Sequence, residues 1–380
     1  MHLHLCIVSD QILPNLIPIL QEHPDAVVLL SSEAMTERAQ QLARHIRKQG
    51  ITVVVQEGMP DHGLEAIYAF ALEVQDRLHR EYPEAEITLN ATGGNKLMAL
   101  GLVEFFRDQR VLYTDTAHRR LEILPGRERP PAEIAMENVL TVPGYLDAQG
   151  FQVRRVRSRQ DAWREAALYR KGFCKRLAEI APRADYMIYL LNKAAFQALS
   201  KQGELVTPEQ TLDRVPRGEI ADILSDLNQR DLLAWKVGTT AVAFRDAETA
   251  RFLSGGWLEE YVYHVLKDNG AFDVALGVEG QWLSGRGGKN EFDVLATQHN
   301  ALLFVECKTL AHRAENDSDI AYKLEALGQD ARGLFGESWL VTARKPTANL
   351  LDHARRARFE VIGPDTLPRL RDRVRQWLQG

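Results

Sequence analysis

The sequence predicts an α/β protein. It has an amino-terminal parallel sheet with helices on both faces, a helical connector, and a second α/β domain at the carboxy-terminal end. Three observations predict this. Short apolar runs alternate with amphipathic stretches up to about residue 125. Residues from about 160 to 250 carry helix signals almost throughout. From Gly255 onward strands and helices mix, and NEFDVLATQHNALLFVECKTL has the pattern of a hairpin.

In the first segment LHLCIVS reads as a strand and ILPNLIPILQEH as a helix. The strand AVVLLSS, the helix MTERAQQLARHIRKQG and the strand ITVVVQ follow. The helix LEAIYAFALEVQDRLHR leads to the stretch EITLNATGG, a helix from about Asn95 to Arg107, and the strands RVLYTD and RLEILP. Apolar strands separated by such helices pair in parallel, with both sheet faces covered. Near residue 125 the pattern stops at PGRERPPAEIA, which reads as a linker or an excursion. The expected domains are 1–125, 126–250 and 251–380. In the middle one, EIADILSDLNQRDLLAWKVGTTAVAF suits a helix and a small hairpin, as a winged-helix fragment or within a plain helical connector.

With 380 residues, 45% hydrophobic and 26% charged, the chain has an ordinary globular composition. A net charge of −5 excludes a general attraction to nucleic acid, so any polyanion site is local. Cys6, Cys174 and Cys307 fit neither a disulfide framework nor a zinc pattern, which favours a reducing compartment. The opening MHLHLCIVSDQILPN lacks the basic start and long apolar core of a signal peptide, and no later run is long enough for a bilayer. The expectation is a cytoplasmic protein with no membrane partner.

Two stretches carry chemistry. LNATGGNKLMALGLVEFF sets Thr92, Gly93, Gly94, Asn95 and Lys96 between a strand and a helix. Glycines there let backbone approach a phosphate, and the helix start offers unpaired amides and a favourable dipole. The pattern is neither the dinucleotide nor the triphosphate motif. Ser9, Asp10 and Gln11, in VSDQILPN, fall where the first strand meets its helix. In a doubly wound sheet both loops lie at the carboxyl edge, where ligands bind. The second stretch is the hairpin. Asp293 stands near the start of its first strand, and Glu306 and Lys308 end the second on one face, with Cys307 pointing the other way. A Glu-x-Lys triplet recurs by chance about once in a few hundred residues. Its weight here comes from the paired acid before it and a helix expected after it in AYKLEALGQDARGLFG.

The SDQ loop with the later TGG-N-K helix start resembles the CRISPR-associated Rossmann fold (CARF) domains. Asp293 followed by Glu306-x-Lys308 resembles the PD-(D/E)xK nucleases, with Phe292 in place of the proline. Both ends of the chain together resemble the CARF-linked PD-(D/E)xK nucleases of type III CRISPR defence; the middle resembles them weakly. The resemblance implies a homodimer binding a cyclic oligoadenylate, usually cyclic tetra-adenylate, across its two-fold axis. Ser9, Asp10, Gln11, Thr92, Gly93, Gly94, Asn95 and Lys96 would line that ring. It also implies a helix-borne catalytic acid in Gly256-Trp257-Leu258-Glu259, Glu259 or the adjacent Glu260.

Carboxylates without a histidine or cysteine cluster suit a hard cation, Mg²⁺ or Mn²⁺. Asp293 and Glu306 would hold it, with the Cys307 carbonyl as a further ligand. Lys308 would orient the attacking water or stabilise the developing phosphorane, and Glu259 would ligate through water or fix a second ion. The expected reaction is cleavage of phosphodiesters in single-stranded RNA or DNA, or nicking of duplex DNA. No base-reading motif is visible, so selectivity should be low. The competing expectation is a ligand-responsive, nucleic-acid-binding regulator in which the carboxy-terminal acids are structural.

Overall fold

A computed structural model describes residues 1–127, 129–283, 289–309, 324 and 336–380. They fold into two compact units, Met1–Gln152 and Val153–Gly380. The helix expected in AYKLEALGQDARGLFG lies outside the described residues apart from Leu324 and the closing glycine.

The first unit alternates β1 (His2–Ile7), α1 (Leu13–Glu22), β2 (Ala26–Leu30), α2 (Thr36–Lys48), β3 (Thr52–Gln56), α3 (Leu64–Glu81), β4 (Glu86–Asn90), α4 (Lys96–Phe106) and β5 (Arg110–Asp115). It then adds β6 (Arg120–Ile123), β7 (Ala132–Ala135) and α5 (Val142–Ala148). The strand order is β3-β2-β1-β4-β5-β6-β7, parallel from β3 to β5 and antiparallel beyond. Leu3, Leu5 and Ile7 pack with Val28 and Leu30 against the cores of α3 and α4. The alternate residues Cys6, Val27 and Leu29 are equally buried, as strands covered on both faces require. β7 lies within the stretch read as a linker. All four of its residues are exposed, so it has no alternation of buried and solvated positions for a sequence reading to find.

The second unit takes in the middle segment. β8 (Phe151–Val156) joins the edge of its six-stranded sheet, and α6 (Asp161–Gln197) runs on from there. β9 (Glu209–Thr211), α7 (Glu219–Gln229), β10 (Leu233–Trp235) and β11 (Ala241–Phe244) follow. The three short strands form an antiparallel sheet, β10-β11-β9. After α8 (Ala247–Arg251) and a π-helical turn, Phe252–Gly256, come α9 (Trp257–Asp268), β12 (Asp273–Trp282), β13 (Asn290–Gln298), β14 (Ala301–Lys308) and β15 (Glu337–Thr342). Helix Ala348–Ala357, β16 (Glu360–Ile362) and helix Leu370–Gln379 complete the unit. The main sheet runs β16-β15-β14-β13-β12-β8. One core joins Trp163, Phe173 and Leu177 of α6 to Trp257 and Leu258 of α9 and to Val294 and Val305 of the hairpin. The helical middle is therefore packed into the unit that carries the hairpin. No described helix is long and apolar enough to cross a membrane.

Candidate active site and ligand loops

The central hairpin turns at His299 and Asn300, whose φ angles of 51° and 58° give the two left-handed residues of a tight type I′ turn. The pairs Gln298–Ala301 through Val294–Val305 fix its register, and one step further sets Asp293 across from Glu306. The Cys307 backbone N–H donates to Asp293 Oδ2 at 2.8 Å, which anchors the acid to the end of β14. Glu306 is buried, and Lys308 Nζ lies 2.9 Å from its Oε1. Cys307 packs in the apolar core.

A contact brings α9 to these strand ends. Thr309 Oγ1 donates to the Ser254 carbonyl at 3.2 Å, in the π-helical turn just before α9. A Cβ on Gly255 would stand 3.0 Å from the same hydroxyl, so any larger residue would press on this contact. Glu259 and Glu260, adjacent in the first turn of α9, then take different surroundings. Glu260 is buried under Arg170 of α6, which donates to its two oxygens at 2.7 and 3.1 Å and to Glu248 at 2.8 Å. Glu259 faces the hairpin acids. Burial pushes its carboxyl up to about 7; Arg157 opposes the rise, while Glu291, Glu260 and Glu306 add to it. Asp293 is pushed well above the carboxylate range, first by burial and then by the charges of Glu306 and Glu259. Among the described residues, burial and neighbouring acids outweigh the positive charge of Arg157 and Lys308 at these two carboxyls.

The donor set suits a hard divalent cation, all oxygen and rich in acids. Among the described residues, however, Glu259, Asp293 and Glu306 are not drawn to mutual chelating distance. The trio whose ligand atoms converge within 4.8 Å is His2, His4 and Glu22. Mg²⁺ needs only one or two direct carboxylates and keeps several waters, which matches direct ligation by Asp293 and Glu306 with Glu259 acting through water.

In the first unit, β1 pairs with both β2 and β4, so the chain reverses direction of travel across the sheet between β1 and β4. Both candidate loops leave the carboxyl ends of those two strands. The TGGNK loop is pressed onto β1. A Cβ on Gly93 would lie 1.8 Å from the Ile7 carbonyl oxygen, and one on Gly94 (φ +71°) would lie 2.6 Å from Ile7 Cγ2. Thr92 uses its hydroxyl internally, donating to Asn90 Oδ1 at 2.6 Å and accepting from the Thr114 N–H at 2.7 Å. Asn95 caps α4, its Oδ1 accepting from Met98 N–H at 3.0 Å, and its amide donates to the Asp61 carbonyl at 2.5 Å. Lys96 is exposed. Ser9 donates to the Gln11 carbonyl at 3.1 Å; Asp10 is exposed, with Arg38 Nε 3.9 Å away. Thr92 and Asn95 thus shape the loop, while Ser9, Asp10, Gln11 and Lys96 stand at its edge. Arg38 and the loop-supporting Asn15 and Asn90 were not singled out from sequence, and neither were Arg157 and Glu291. Each is a polar residue with no local motif, brought in by packing.

Two family models match the chain, the Card1 CARF domain over residues 3–145 and the Card1-like endonuclease domain over residues 246–380. The chain joins a Card1-type CARF domain to a Card1-like endonuclease domain. Solved structures share this fold. Protein VC1899 from Vibrio cholerae is 23% identical, covering 100% of this chain and 98% of its own, with a TM-score of 0.85. Can2 from Sulfobacillus thermosulfidooxidans, solved with cyclic tetra-adenylate, is 22% identical over 100% of both chains, with a TM-score of 0.75. A type III CRISPR defence DNA nuclease activated by cyclic oligoadenylate is 20% identical, covering 91% of this chain and 46% of its own, at 0.54. No curated protein sequence matches. The TGGNK and SDQ loops belong to the CARF domain and the acid-rich hairpin to the endonuclease domain.

Proposed function

We propose that the protein is a cytoplasmic, divalent-metal-dependent endonuclease of type III CRISPR defence, activated by cyclic tetra-adenylate and acting as a homodimer on single-stranded RNA or DNA with little sequence selectivity. The observation that carries this reading is one chain uniting a CARF domain with an endonuclease domain in which, among the described residues, burial and neighbouring acids push Glu259 and Asp293 up together. The similarity to Can2 bound to cyclic tetra-adenylate supports the choice of ring. The packed pair α3 and α4 leaves Leu64, Tyr68, Leu72, Leu97 and Leu100 exposed, which supports a second copy covering that face.

In this reading Asp293, Glu306 and the Cys307 carbonyl hold Mg²⁺ or Mn²⁺, which when bound polarises the scissile phosphate and acidifies the attacking water. Glu306 fixes Lys308 beside the metal, where its ammonium orients that water. Glu259 keeps an outer-sphere position. At the other end Ser9, Asp10, Gln11 and Lys96 contact the ring, on a loop that Gly93, Gly94, Thr92 and Asn95 shape. Moving the nuclease from mostly off to mostly on takes about 5 kcal/mol of differential ring affinity between the two states.

The test is cleavage of labelled single strands and duplex by full-length protein with Mn²⁺, with cyclic tetra-adenylate titrated from zero. Cleavage that rises with activator to saturation is expected. Equal rates at zero and saturating activator would reject the switch, and no cleavage of any substrate would reject the nuclease.

A further inference from the structure

Arg157 stands at the acid-rich face of the endonuclease unit, although residue 157 lies outside both matched segments, 3–145 and 246–380. It begins the short turn Arg157–Arg159 that joins β8 to α6. Its side chain crosses β12 at Gly277, which falls between the pairs Leu276–Val294 and Val278–Phe292 and so lies across from Asp293. A Cβ on Gly277 would come 2.9 Å from Arg157 Cβ and 3.1 Å from its Nε, and the glycine's φ is +61°. No other residue fits there without moving the arginine. The sequence thus keeps a gap in β12 that a guanidinium fills.

What the guanidinium does with its hydrogens is the second observation. The other arginines nearby are engaged. Arg154 donates to Gln281 at 2.8 Å, Arg155 is paired with Glu279 at 2.7 Å, Arg159 is paired with Asp273, and Arg170 grips Glu260 and Glu248. Arg157 donates one hydrogen bond, to Glu291 Oε1 at 3.2 Å. Its other terminal nitrogen stands 3.9 Å from Glu259 Oε2, too far for a hydrogen bond. Among the described residues most of its N–H donors therefore have no acceptor. The side chain is 30% exposed.

A strand approaching Asp293, Glu306, Glu259 and Glu291 meets acids, and Lys308 is already joined to Glu306. A planar guanidinium with open donors is the group suited to a phosphate there. We propose that Arg157 is a substrate-binding residue of the nuclease site, donating to a phosphodiester oxygen of the nucleic-acid strand beside the metal-binding carboxylates. This rests on the nuclease reading above. The rival role is counter-ion to Glu259 alone.

The experiment uses full-length protein with cyclic tetra-adenylate. Binding of a fluorescein-labelled single strand is followed by anisotropy across a salt series in the Glu306→Gln background, and cleavage and Mn²⁺ half-saturation are measured in the otherwise intact protein. Arg157→Ala is expected to weaken strand binding about tenfold and to lower the slope of log K against log salt by about 0.7, the share of one phosphate contact on a single strand. KM should rise by more than any change in Mn²⁺ half-saturation, with the melting temperature unchanged. Arg157→Lys should keep the salt slope with intermediate affinity. An unchanged slope with a shifted Mn²⁺ half-saturation would overturn the proposal in favour of the counter-ion role. An unchanged slope and unchanged metal dependence would overturn it as well. Wild-type protein that cuts no strand would reject the nuclease reading and this inference with it, whereas wild-type cleavage beside an unaffected Arg157→Ala rejects the inference alone.

Discussion

Glu22, at the end of α1, and Asp293, in β13, are carboxylates held against sheets in two different units, and their charges are treated in opposite ways. Burial pushes Glu22 up, but bonds and charges from Arg110 and His4 outweigh it and bring it down to about 2. Arg110 reaches both of its oxygens, at 2.6 and 2.7 Å, and His4 Nε2 lies 2.9 Å away. For Asp293 burial and like charges act together, and it is pushed well up. His2, His4 and Glu22 have the tighter geometry for a metal, yet Arg110 already supplies the positive charge there. Convergent ligand atoms already matched by an arginine are therefore a poorer sign of a cation site than acids that burial and like charges push up together.

Breaking each cluster gives the largest effects. Asp293→Asn or Glu306→Gln should lower turnover by about a thousandfold or more, since in the proposed reading each removes a charge that holds the metal and leaves volume unchanged. Cleavage by quenched-flow or gel assay measures this. In EDTA at pH 8 the melting temperature of Asp293→Asn should rise by a few degrees, because one repelling charge is gone and the amide oxygen still accepts from Cys307. Glu22→Gln should do the reverse. Leaving Arg110 without its carboxylate should cost about 3 kcal/mol, a fall of roughly 6–12 °C for the first unit by calorimetry. A stabilising Glu22→Gln, or a destabilising Asp293→Asn, would erase the contrast.

Most of the sheet of the first unit was legible, because buried parallel strands are apolar throughout and their crossover helices are amphipathic. β7 and the packing of the middle segment were not. β7 is fully exposed, and no local pattern tells that Trp163 or Phe173 will meet Trp257. In the candidate site, the placement of Asp293 across from Glu306 and of Glu306 and Lys308 on one face was legible from strand alternation. The choice between Glu259 and Glu260 was not, because it depends on Arg170, 90 residues away from Glu260. Thr92 and Asn95 carried a ligand-like motif, but their polar atoms serve Asn90, Thr114, Met98 and Asp61, distant partners that sequence spacing does not reveal.

The pH response sharpens the contrast next. Glu259, raised to about 7 from 4.5, contributes stability that is full below 4.5 and is lost as pH rises through 7. Glu22, lowered to about 2 from 4.5, contributes stability present above 4.5 and lost as pH falls toward 2. Metal favours the ionised form of Glu259, so Mn²⁺ half-saturation should tighten by up to about tenfold per pH unit as pH rises toward 7. Isothermal titration between pH 5.5 and 8.5 measures this; a flat profile would show that the acids are already ionised.

The smallest effects separate two neighbours in the TGGNK loop. Asn95 is a helix cap with two bonds inside the domain, whereas Lys96 is exposed and is assigned to the ring. Removing the cap by Asn95→Ala should cost about 1 kcal/mol, a drop of roughly 2–4 °C in melting temperature, with ring affinity reduced only as far as the loop loosens. Lys96→Ala should leave the melting temperature of the unliganded protein unchanged. Its effect should be on cyclic tetra-adenylate binding, by about 1.5–3 kcal/mol for one charge-assisted bond, and counted twice where two copies grip one ring. Titration calorimetry of both variants with the ring reads the difference directly. Should Asn95→Ala lose more affinity than Lys96→Ala while melting like the wild type, the asparagine would be the ring contact and the lysine the bystander.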